Sequence, residues 1–142
     1  MKFNQMIPEL DVRNLEQSLH FYVDLIGFKV EYTREEDLFA FISLENVQFM
    51  LQELNGDSKW ETGPLEYPFG RGINFQIDLM DIDKIYNRLK ESEYEIFVDM
   101  EEHWYRKENQ FMGCKEFLVK DPNGYLLRFS EDIENDEKFS KA

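Results

Sequence analysis

The chain is short of cysteine, histidine and basic residues, and each shortage excludes something. One Cys, Cys114, leaves no partner for an internal disulfide, so a packed core must hold the fold. Its apolar strand context reads as that of a small buried hydrophobe. Two His, His20 and His103, offer little to a metal centre, and no Ser-His-Asp or Cys-His arrangement can be assigned from spacing. His20 reads as a helix-surface residue and His103 as a strand-edge residue. Sixteen Lys and Arg stand against 30 Asp and Glu, a net charge of −14. Nucleic acid is thereby excluded as a partner, because phosphate binding needs clustered cations. The same charge serves solubility and favours the approach of a cationic ligand to an acidic cleft. No apolar run reaches the length of a membrane span and no basic-then-apolar leader opens the chain. The expectation is a cytoplasmic protein with no membrane partner. Gly70-Arg71-Gly72 is too short for a phosphate-binding loop.

What the chain does have is size, aromatics and a repeat. At 142 residues it suffices for one domain with a real core. Thirteen Phe, seven Tyr and two Trp are present, many at loop ends and strand edges. The segment Leu10-Asp11-Val12-Arg13-Asn14-Leu15-Glu16 corresponds to Ile77-Asp78-Leu79-Met80-Asp81-Ile82-Asp83. Each reads as a strand end, a cap and a helix. In the first, Asn14 is the N-cap with Gln17 at the capping-box position, Leu15, Leu19, Tyr22 and Ile26 follow at helical spacing, and Gly27 ends the helix. In the second, Asp81 caps a stripe of Ile82, Ile85, Tyr86 and Leu89. Opening strands are expected at 2–12 and 72–79. Further strands are expected at 28–33, 38–44 and 47–53 in the first half, and at 95–105, 113–120 and 125–130 in the second. Glu45-Asn46 is a hairpin turn. Each half thus reads β-α-β-β-β. A linker, residues 55–71, carries Trp60 as a loop anchor, and residues 133–142 form an acidic tail.

The closing stretch from Phe117 to Phe129 is strand, turn, strand, with Asp121-Pro122-Asn123-Gly124 as the turn. This hairpin, the Asp11-Val12-Arg13-Asn14-Leu15-Glu16 entry and the Phe21-to-Phe28 helix end resemble the vicinal-oxygen-chelate superfamily of glyoxalases, extradiol dioxygenases and bleomycin-resistance proteins. The resemblance covers about residues 4–131. It implies an α+β fold of two β-α-β-β-β modules, about 1–54 and 72–132 of a single domain. Their mixed sheets would be curved half-barrels with helices outside.

In the metalloenzymes of that superfamily four positions supply the metal ligands. They correspond here to Ile7, Met50, Asn74 and Arg128, with Glu9, Gln52 and Gln76 as neighbouring polar alternatives. An arginine where a carboxylate belongs argues against metal chemistry, since Arg cannot ligate and Ile and Met are not hard-metal ligands. The expectation is therefore no metal, no cofactor and no catalytic residue. The resemblance is strongest to the bleomycin-resistance proteins, which hold a cationic antibiotic in grooves at a dimer interface and exchange an N-terminal strand around a proline near Pro8. The implied partner is a bleomycin-type antibiotic or another aromatic compound, bound by a homodimer.

The expected ligand-binding set is Trp104, Tyr105, Phe39, Phe41, Phe111, Arg128, Glu101 and Glu102. Aromatics stack on a flat ring while the two acids attract a cation. Alternation puts Glu102, Trp104 and Arg106 on one strand face and His103 and Tyr105 on the other. Phe111 reads as a loop residue able to close as a lid, and Arg128 as a partner for the ligand or Glu116. Two other readings stay open. One is a metal-dependent glyoxalase, dioxygenase or thiol-transferase-type enzyme. The other is a regulatory homologue without a pocket.

Overall fold

A computed structural model describes residues 1–56 and 59–133. The acidic tail expected at 133–142 lies outside the described residues except for Ile133. The elements run β1 (Glu9–Val12), α1 (Leu15–Leu19), a π-helical continuation (His20–Ile26), β2 (Lys29–Arg34), β3 (Phe39–Leu44), β4 (Val47–Glu53), β5 (Asn74–Asp78), α2 (Asp83–Glu91), β6 (Val98–Lys107), β7 (Gln110–Lys120) and β8 (Leu126–Ile133). They form two four-stranded mixed sheets, in the orders β1-β4-β3-β2 and β5-β8-β7-β6. In each sheet the opening strand runs parallel to the closing strand and the other pairs are antiparallel. The fold is therefore α+β with a repeated β-α-β-β-β module.

Contacts divide the chain into two compact units. One comprises Met1–Gly72 with Asp121–Tyr125, and the other comprises Ile73–Lys120 with the chain from Leu126 onward.

In the first unit, Asn14 caps α1 by accepting from the Gln17 amide at 2.7 Å, and Glu53 accepts from Leu15 N at 2.8 Å. The helix then widens. Gly27 N and Phe28 N both donate to Tyr22 O, and Gly27 takes φ 110°, which a residue with a Cβ rarely adopts. Phe21, Tyr22, Leu25 and Ile26 are buried with Leu10, Val12, Ala40, Ile42, Phe49 and Leu51. Tyr22 meets Phe21, Phe28 and Phe49 edge-on.

The 121–125 turn belongs to this core. Tyr22 Oη donates to Asp121 at 2.8 Å, Arg13 N donates to Asn123 Oδ1 at 2.9 Å, and Tyr125 Oη donates to Asp11 O at 2.9 Å. Asn123 and Tyr125 donate their amides to Asp121 Oδ1. Gly124 lies so near Pro68 that a Cβ would stand 2.4 Å from Pro68 Cα.

In the second unit, Asp81 Oδ1 accepts from Asp83 N and Glu131 accepts from Ile82 N, which together start α2. Ile82, Ile85 and Leu89 are buried with Ile77, Phe117, Val119, Leu127 and Phe129. Tyr86 stacks on Phe117 at 5.3 Å.

Several expected boundaries move. The first strand holds only Glu9–Val12, because residues 2–4 instead tie to the start of β4 through Gln48. β6 starts at Val98 rather than at residue 95, but both strands of the β6–β7 hairpin run further toward their turn than expected, so Phe111 lies in β7 opposite Arg106. Phe111 is thus a ladder residue rather than a loop lid.

Candidate functional site

Register fixes which side chains share a face, because directly paired residues point the same way. On the second sheet, Gln76 pairs Arg128, Glu101 pairs Glu116, and His103 pairs Cys114. Together with Tyr105, paired to Met112, they stand on the face opposite α2. Arg128 Nη2 reaches Glu116 Oε2 at 3.3 Å and Nη1 reaches Asn74 Oδ1 at 3.4 Å. His103 Nε2 lies 3.2 Å from Glu101 Oε2 and 3.7 Å from Glu116 Oε1. A polar chain thus runs Asn74–Arg128–Glu116–His103–Glu101 across β5, β8, β7 and the edge strand β6. Cys114 borders it, half-buried. Burial and the Glu116 carboxylate push its thiol pKa up, so it is a poor nucleophile at neutral pH.

The eight residues expected to form one groove divide between the two units and, within the second, between the two faces of its sheet. Phe39 and Phe41 belong to the first unit and the other six to the second. Within the second, Glu101, Tyr105 and Arg128 point away from α2, whereas Glu102, Trp104 and Phe111 fall in register with Lys115, Gly113 and Arg106 on the α2 face. Strand alternation forces this split, since neighbours such as Glu101 and Glu102 cannot serve the same surface. Trp104 lies against Gly113, where an added Cβ would come within 2.6 Å of its ring.

Phe39 and Phe41 share a face of β3 with Gln52 and Met50, but they are only 2 % and 1 % exposed. Tyr32 stacks on Phe41 at 5.3 Å, Phe3 meets it edge-on at 5.2 Å, and the Arg34 guanidinium lies 4.0 Å above Phe39. These two phenylalanines are foundation, and Tyr32 and Arg34 are the surface. The bulge between Val30 and Tyr32 aligns Tyr32 with Phe41, a shift that residue pattern does not announce.

The other sequence-marked residues are also placed. His20 is exposed and pairs with Asp24 at 2.8 Å, one helical turn on. Pro8 O accepts from Met50 N at 2.9 Å, just before β1. Trp60 does not anchor its loop in a core. It is 66 % exposed and walls a cavity of about 280 Å³ with Asp11, Gln52 and Lys59.

The four residues that the family resemblance sets at metal positions offer poor ligands. Ile7 offers no donor and Met50 only a weak thioether. Asn74 faces the guanidinium of Arg128, and Arg128 carries the charge of the ion it would replace. Among the described residues, no three His, Cys, Asp or Glu side chains are grouped to hold a metal ion. Nor is any helix among them long and apolar enough to cross a membrane.

These modules and the repositioned charge define an α+β protein built from a duplicated β-α-β-β-β unit, with a second-sheet face of arginine, histidine and acids. The sequence profile of the Glyoxalase/Bleomycin resistance protein/Dioxygenase superfamily matches residues 8–129, and the chain belongs to that superfamily. It is similar to a bleomycin resistance protein from Geobacillus stearothermophilus, 25% identical over 140 residues, covering 92% of this chain and 98% of the relative. The figures are the same for a bleomycin resistance protein from Staphylococcus aureus. Two solved structures share the fold. A glyoxalase/bleomycin resistance protein/dioxygenase from Alicyclobacillus acidocaldarius has TM-score 0.62 at 21% identity, covering 92% of each chain. An integron cassette protein from V. cholerae has TM-score 0.62 at 13% identity, covering 92% of this chain and 97% of that one.

Proposed function

We propose that this protein binds and holds a small aromatic ligand, cationic in the manner of the bleomycin-type antibiotics, without altering it chemically, and does so as a homodimer in the cytoplasm. The observation that carries this reading is Arg128, at the position of a superfamily metal carboxylate, in contact with both Glu116 and Asn74. A guanidinium there repels a divalent ion, which removes the Lewis acid that the superfamily's lyases and dioxygenases depend on. What remains is recognition. The acidic balance of −14 draws cations, and Tyr105 beside Glu101, His103 and Glu116 offers a ring and carboxylates on one exposed surface. The near full-length match to bleomycin resistance proteins supports the same ligand class.

The test is a thermal-shift screen with bleomycin-type drugs, with and without divalent metals, followed by calorimetric titration of any hit. A ligand that binds the folded state raises the melting temperature as its concentration rises. Binding that is independent of metal, with the drug recovered unchanged, is the expected result. A ligand consumed in a metal-dependent reaction would overturn the reading.

A further inference from the structure

The cavity at Trp60 was not among the residues that the sequence marked for binding, and its chemistry is specific. Asp11, at the end of β1, and Gln52, its partner on β4, share one face. Both line the cavity, with Lys59 and Trp60 from the following loop forming another part of its wall. Trp60 is largely exposed, and an indole presents both a flat aromatic face and a polar N–H to a ligand. What lies over it now is a cation, with Lys59 Nζ 4.8 Å from the ring centre.

On the strand floor of the cavity, Asp11 and Gln52 both offer acceptors. The Gln52 amide nitrogen is committed to Asp37 O at 2.7 Å and Glu53 O at 3.1 Å, which leaves its carbonyl as the group open to a donor. Asp11 accepts through its backbone from Tyr125, which fixes the strand end that carries its carboxylate. Burial, then the negative charge of Glu61, raises the Asp11 pKa. Burial, then the charge of Asp11, raises that of Glu9, with Arg34 pulling the other way. Negative charge is thus crowded along this strand, and a bound cation would relieve it.

We propose that this cavity, walled by Trp60 and floored by Asp11 and Gln52, binds the ammonium group of an aromatic organic cation, with Lys59 Nζ occupying the place that such a group takes. The ring of the ligand would lie against the indole and its ammonium would face Asp11 and the Gln52 carbonyl. This site is separate from the second-sheet face around Tyr105 and rests on the reading above only in taking the same class of ligand.

Phenethylammonium chloride is a suitable probe, with uncharged phenethyl alcohol as its control. Calorimetric titration of the wild type should show binding of the ammonium and none of the alcohol. Asp11→Asn and Trp60→Ala should each weaken binding about fivefold or more. Lys59→Ala should tighten it, because the competing internal cation is gone. Trp60 and Lys59 are exposed, so their variants report even if Asp11→Asn unfolds, and melting curves establish which variants are folded. No binding to the wild type up to about 10 mM, the weak end for a ligand this small, would overturn the proposal. So would equal affinities across the folded variants, or equal binding of the alcohol. If a bleomycin-type drug binds while the probe ignores these substitutions, this cavity fails and the functional reading stands. If the probe behaves as expected while no such drug binds, the cavity stands and the drug reading falls.

Discussion

Trp104 and Gly113 face each other across the β6–β7 ladder so closely that a Cβ on residue 113 would sit 2.6 Å from Trp104 Cζ3. The glycine is therefore the seat of the indole. Gly113→Ala should displace the ring or strain the hairpin, at a cost of about 1–3 kcal/mol. In a Trp60→Phe background Trp104 is the one remaining tryptophan, so its emission maximum and the urea midpoint should both shift. Unchanged emission at unchanged stability would show that the hairpin accommodates the methyl elsewhere.

Arg128 links Glu116 and Asn74 on a half-exposed surface. Arg128→Ala should cost little stability, roughly 0.5–1 kcal/mol, since ion pairs of this exposure are screened. Elemental analysis of wild-type protein after mild purification should find no stoichiometric divalent metal. A full equivalent of zinc, nickel, iron or manganese, removed only by chelator, would require a ligand set other than Ile7, Met50, Asn74 and Arg128.

Asp121 is buried, and burial pushes its carboxyl up even though Tyr22, Tyr125, Asn123 and Gly124 donate to it and pull it down. A carboxyl whose folded pKa stands above its unfolded value contributes stability that is complete below the unfolded value. That contribution is lost as pH rises through the folded value. Asp121→Asn keeps an acceptor for the two amides and cannot ionise. The stability of the wild type relative to Asp121→Asn should therefore be greatest at acid pH and fall as pH rises through the range of the raised carboxyl. Urea unfolding of both proteins from about pH 4 upward, where the ordinary carboxylate range begins, tests this. The opposite slope would mean that the four donors outweigh the burial.

Strands β1 and β2 are the edges of one sheet, and β5 and β6 those of the other. Open edges invite pairing unless they are covered. Sedimentation at micromolar concentration should give about twice the 17.2 kDa chain mass. A monomer at that concentration would remove the proposed dimer and any groove that depends on it.

The fold was legible because its signals are local. Asn14, Gly27, Asp81 and the 121–124 turn punctuate the chain, and the apolar spacing of the two helices comes from the residues alone. The candidate site was less legible because it depends on register. Alternation correctly separates Trp104 from Tyr105, yet nothing local says that Tyr32, Phe3 and Arg34 bury Phe39 and Phe41. Strand length also misled. The two-residue connection at Glu108-Asn109 lets β6 and β7 extend to Lys107 and Gln110, which takes Phe111 out of any loop. The pairing of Arg128 with Glu116 was foreseeable, since residues on adjacent closing strands with opposite charge seek each other.

The turn from Asp121 to Tyr125 packs with the first unit although the strands on either side of it, β7 and β8, belong to the second. The duplicated halves have therefore ceased to be interchangeable copies. A fragment ending at Gly72 would lose the carboxylate that receives the Tyr22 hydroxyl and the side chain that receives the Arg13 amide. Removing the second half would therefore take away five residues that pack into the first unit.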